Sequence, residues 1–224
     1  GLLDQQLVHN GDIRILGRDV ELGDPTSDSP SAFSMSTAAT LSGTEDAGDI
    51  LIVADNDLII DPGAQFDISG DTESGSLGFF AGNLLTANEI TVNTGASSTV
   101  EGRSTIQFVG DTVSLQGALI DGNILDGVAA SLGVEGRIVD VTDSEVNIAN
   151  SQGTAGSVYV RGSEQLNISN ARGDLRGGSA SADGDLTIVF STPPIETIAS
   201  VFQCTGESCN PTTTFLALPG NGII

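Results

Sequence analysis

Three carboxylates lie close together in "DNDLIID": Asp55, Asp57 and Asp61. Oxygen ligands at such short spacing, in loop-prone sequence, suit a calcium ion. Asp24 and Asp28 in "GDPTSDS" form a second cluster. Neither follows an EF-hand loop, which needs a central Gly and a distal Glu, and the nonapeptide calcium repeat is absent. Solvated acidic loops account for both clusters, so no cofactor is expected. Calcium at Asp55, Asp57 and Asp61 is the single metal candidate.

Carboxylate pairs that could serve glycoside hydrolysis also occur, Asp55 with Asp57 and Asp140 with Asp143. With 30 acids in 224 residues, such pairs arise by chance. A polysaccharide lyase needs a cation to neutralise an acidic sugar, and a base. The chain has no lysine and one histidine, His9. Arg137, Arg161, Arg172 and Arg176 read as partners in surface ion pairs with the surplus acids. Sugar-stacking aromatics are missing apart from Phe79–Phe80. Asn167 heads an "NIS" glycosylation triplet, but it falls on a strand between Leu166 and Ile168. The chain is not expected to be an enzyme.

Cys204 and Cys209 bracket "TGES". With no further Cys or His nearby to complete a metal site, the pair reads as a small disulfide loop formed in an oxidising compartment. The net charge of −23 excludes a nucleic-acid partner and docking on anionic lipid. No apolar run approaches the ~20 residues of a membrane helix. A start at Gly1 rather than Met is what removal of a leader would leave. Together these features place the protein outside the cell.

The elements that carry these residues repeat. "GDIRILGRDVEL" (11–22) returns as "GDILIVADNDLII" (48–60), and related units follow at 82–92, 104–115, 137–148, 156–168 and 184–190. Each has an apolar pair at alternate positions, a short polar gap and a second pair. Examples are Ile13/Ile15 with Val20/Leu22, Ile106/Phe108 with Val113/Leu115, and Val158/Val160 with Leu166/Ile168. Alternation at period two puts each pair on one face of a strand, with Arg14, Glu21, Gln107 and Asn147 on the other. One short strand buries little. Stacking the equivalent strands at ~4.8 Å gives them a common interior.

The third strands expected in each coil fall at 64–69, 98–102 and 118–125. The fold class is therefore all-β: a right-handed parallel β-helix of about seven irregular coils over 11–190. The stretches 23–47, 70–80 and 170–183 read as loop insertions.

The pattern "GDI-x-I-x-A/G-x-D-x-φ-x-φ…G-A-x-φ-D-I-S-G", best seen at 48–70, resembles the repeats of filamentous haemagglutinin-type exoproteins and related β-helical bacterial surface adhesins. That resemblance implies a secreted β-solenoid at a cell surface. Those adhesins are much longer, which suggests either a fragment or a subunit that gains length by assembling.

Two flanking segments differ from the repeats. Residues 1–10 place Leu2, Leu3, Leu7 and Val8 ahead of the first unit as a candidate inter-subunit strand. Residues 191–224 hold few charges and many apolar residues: Ile198, Val201, Phe202, Phe215, Leu216, Leu218, Ile223 and Ile224. They read either as a cap or as a strand donated to a neighbour. The expected function is a structural subunit of an extracellular filament, fimbria or surface adhesin. Its partner is a further copy of itself, and it contacts surface polysaccharide or other cells. The alternative is a secreted β-helix that binds or cleaves a polysaccharide.

Overall fold

The computed structural model describes residues 2–3, 7–8, 11–23, 33–38, 46–70, 73–95, 104–122, 129–150, 152–177, 184–190 and 213–217. All of their regular structure is β, and every strand pair is parallel. The strands form three ladders that wind round one interior, a parallel β-helix.

The first face holds Ile13–Gly17, Ile50–Ala54, Leu77–Ala81, Thr105–Val109, the opening halves of Ser131–Thr142 and Val158–Ser169, Leu186–Phe190 and Thr213–Ala217. The second face holds Leu2–Leu3, Val20–Leu22, Leu58–Ile60, Leu84–Asn88, Thr112–Gln116 and the closing halves of the same two long strands. The third holds Leu7–Val8, Ser34–Ser36, Gln65–Asp67, Thr91–Asn93, Leu119–Asp121, Glu145–Asn147 and Arg172–Asp174. Six successive coils carry a described strand on all three faces, against the seven units the sequence suggests. The unit at 184–190 contributes to the first face alone.

Register explains why the repeat looked irregular. Ile13, Ile50, Leu77, Ile106, Leu132, Val158 and Leu186 are successive partners in one inward column. The offset between coils is 37 residues at the first step and 26 to 29 thereafter. Two sequence units were one face out of phase. In 82–92, Leu85 and Ala87 lie on the second face and Val92 on the third. Their first-face strand, Leu77–Ala81, falls partly in the stretch read as an insertion at 70–80. The unit 137–148 is displaced in the same way, behind Leu132 and Val134. The insertions at 23–47 and 170–183 likewise conceal third-face strands, Ser34–Ser36 and Arg172–Asp174. Alternation is shared by all three faces, so it marks a strand without saying which face the strand occupies.

The interior is one continuous apolar cluster containing Ile13, Ile50 and Val158 together. Phenylalanines thicken its early coils. Phe66 on the third face meets Phe33 and Phe79, with ring centroids 6.3 and 4.9 Å apart, and Phe79 meets Phe108 at 5.1 Å. Edge-on and tilted contacts of this kind favour aromatic pairs beyond the area they bury.

Corners are set by backbone rather than by hydrophobicity. Between the second and third faces, Gly63, Glu89, Gly117, Asp143 and Asn170 all have positive φ, from 49° to 85°. Each amide of the first four donates to a carbonyl one coil on. Where the chain enters the first face, Gly156 and Gly184 lie against the coil before. A Cβ on either would stand 1.7 Å from a carbonyl oxygen of Ala130 or Gly156. Only hydrogen fits there.

Candidate functional site

Three of the carboxylates singled out in the sequence, Asp57, Asp140 and Asp143, take part in the stacking. Coils ~4.8 Å apart place like residues above one another, and two carboxylates at that distance repel by about 1 kcal/mol even in water. The chain interposes amides. Asn56 donates to Asp19 Oδ1 at 2.7 Å, and Asn83 donates to Asp57 Oδ1 at 2.8 Å. Asn167 donates to Asp140 Oδ1 at 3.0 Å, and Asn170 to Asp143 Oδ1 at 2.6 Å. On the third face the outward column reads Asp67, Asn93, Asp121, Asn147, Asp174, with acid and amide alternating coil by coil. Several of these residues also close the turn that ends the face. Asp67, Asn93 and Asp174 each accept the amide two residues on, at 3.1 to 3.2 Å. A short side-chain acceptor is what that turn needs.

Asp55, Asp57 and Asp61 therefore do not come together as a calcium site. Asp57 is engaged by Asn83 and by the Leu84 amide, while Asp61 stands beyond the opposite end of the Leu58–Ile60 strand. Among the described residues, no three His, Cys, Asp or Glu side chains are grouped to hold a metal. Asp24 and Asp28 lie outside the described residues, as do His9, Cys204 and Cys209. The pair Asp140 and Asp143 is divided between two Asp–Asn contacts rather than facing a common cleft.

Arginine does the same work as asparagine. Arg137 stands between Asp111 on the coil before it and Glu164 on the coil after it, bonding Asp111 through Nε and Nη2 at 3.0 Å each. The guanidinium beside Asp111 holds its carboxyl below the usual range, chiefly through their hydrogen bonds; desolvation opposes this, and a smaller Coulombic attraction adds to it. Arg137 is raised in turn, chiefly by its bond to Asp111. Arg176 is raised by its bond to Asp174. Arg161 pairs with Glu135 at 3.7 Å, and Arg172 lies exposed on the third face.

The described parts of the segments expected to join subunits are rungs of this chain's own ladders. Leu2 and Leu3 register with Glu21 and Leu22, and Leu7 and Val8 with Met35 and Ser36. Phe215 and Leu216 register with Ile188 and Val189. Among the described residues, each of these strands is paired along one edge only. The remaining residues of that set, Ile198, Val201, Phe202, Leu218, Ile223 and Ile224, lie outside the described residues, as does 98–102.

One feature of the outer surface escaped the sequence reading. Of the doublet noted for stacking, Phe79 is fully buried and Phe80 points outward on the first face. Beside it lies a hollow of about 240 Å³ whose rim includes Arg14, Asp49 and Gln107. The signal was present: adjacent residues on a strand face opposite ways, so a Phe–Phe pair must leave one ring outside.

No protein-family model, no curated protein and no solved structure matches this chain.

Proposed function

We propose that this chain is a structural subunit of an extracellular filament or surface adhesin, its copies stacking head to tail by strand addition. The observation that carries this reading is the uniform parallel ladder on all three faces. In such a ladder the two outer edges are complementary: the groups left open by the last rung are those the first rung needs. A second copy in the same orientation continues each sheet without rearrangement, wherever in the parent chain the last rung falls. An edge of this kind is a template for another strand. The surface charge opposes side-by-side association of copies, while end-on contact brings few of those charges together.

The lysine-free acidic surface and the Cys204–Cys209 pair, read as a disulfide loop, support a place outside the cell. What such a fibre holds, whether surface polysaccharide or another cell, is set by its sides rather than its ends. Negative-stain microscopy tests the reading. The full chain is expected to form unbranched fibres one solenoid wide. Short particles from the full chain would refute it.

A further inference from the structure

The outward column of the first face runs Arg14, Leu51, Gly78, Gln107, Gly133. At Gly78 the side chain is missing, and the neighbouring ring fills part of its place. A Cβ on Gly78 would lie 2.6 Å from Phe80 Cε2 and 3.2 Å from Leu51 Cδ1. Phe80 is therefore laid over the backbone instead of standing away from it, and presents its ring along the floor of a shallow hollow. The hollow measures about 240 Å³, below the size of a drug-sized pocket and suited to one small ring.

Its rim carries polar groups. Arg14 is exposed there and pairs with Asp12 at 3.1 Å, which partly balances its charge. Asp49 accepts the Ser76 amide at 2.7 Å, which anchors its carboxylate at the edge. Gln107 stands on the next coil, exposed, with both an amide donor and an acceptor.

The geometry points to a binding site for a neutral sugar, a pyranose unit of an uncharged glycan lying on Phe80. Such a ring is two-sided: its C–H face seeks an aromatic surface and its hydroxyl edge seeks paired donors and acceptors. Phe80 supplies the first, and Arg14, Asp49 and Gln107 supply the second. An acidic sugar is disfavoured, because the net charge of −23 repels anions at every approach. A second copy of this chain fits less well. The rim is polar, like charges oppose lateral approach, and a hollow for one ring falls far short of the ~1,000 Å² of a stable interface.

The site lies on the side of the rod, so binding is read on fibres or single particles alike, and its failure says nothing about end-to-end joining. Saturation-transfer NMR on the full chain uses methyl glycosides of glucose, galactose, mannose and N-acetylglucosamine at about 10 mM, above the ~1 mM dissociation constant of a weak single-ring ligand. At least one glycoside should receive saturation at its ring C–H protons. That signal should fall at least tenfold in Phe80→Ala and survive in Phe80→Trp. Gln107→Ala leaves the ring in place and should lower the affinity at least threefold. No saturation in any glycoside overturns the site, as does equal saturation in Phe80→Ala. Side-by-side pairing of rods that depends on Phe80, with no sugar signal, overturns it in favour of a second copy.

Discussion

An amide or a guanidinium placed between two carboxylates lets a chain of net charge −23 stack upon itself. Arg137 is the strongest instance, because it neutralises Asp111 below and Glu164 above. Its consequence for pH follows from the sign of the shift. Asp111 has a folded value below its ordinary 3.8, so its contribution to stability is complete above 3.8 and is lost as pH falls through the lowered value. Arg137 is raised, so its contribution is lost only at extreme alkalinity. Arg137→Met should return the Asp111 carboxyl to 3.8 or above and destabilise the fold near neutral pH, with the difference from wild type vanishing in acid. Carboxyl NMR titration and urea unfolding at two pH values read both effects. Unchanged titration of Asp111 would show that the guanidinium does not set it. The sequence showed these acids as a surplus; it could not show that each stood a coil away from its amide. That distance is spatial, and depends on offsets that vary between 26 and 37 residues.

At the level of the strand, the inward columns bear most of the load. Phe79 touches Phe66 and Phe108 from one fully buried position, while Phe80 beside it faces out. Phe79→Ala should cost about 3–5 kcal/mol by opening a cavity that neighbouring coils cannot close, and Phe80→Ala under about 1 kcal/mol. Chemical denaturation of the two variants measures the contrast, and equal costs would contradict the assigned faces. These faces were largely legible beforehand: Ile13, Val20, Ile106, Val113, Val158 and Leu166 alternate as inward residues should, and all are buried. Frame was harder to read. The corner between the second and third faces depends on a left-handed residue, and Gly63, Glu89, Asp143 and Asn170 share that backbone without sharing a side chain. With nothing in the sequence to mark that corner, 82–92 and 137–148 were set one face off. The third face was hidden for another reason: its strands Ser34–Ser36 and Arg172–Asp174 are three residues long, the first burying only Met35 and the second turning only Gly173 inward, too little for a period to register.

Over the described residues the molecule is a short rod. Its first face has eight described rungs, and at ~4.8 Å spacing they span about 35 Å. The interior column is continuous, the ladders are parallel throughout, and each outermost described strand is paired along one edge. A rod of this kind gains length by adding copies at its ends and keeps its width. Small-angle X-ray scattering across a concentration series tests that claim most directly. End-to-end joining predicts a forward scattering that rises with concentration while the cross-sectional radius of gyration stays constant. Forward scattering that stays at the value for one chain, with a longest dimension of a single rod at every concentration, would contradict it.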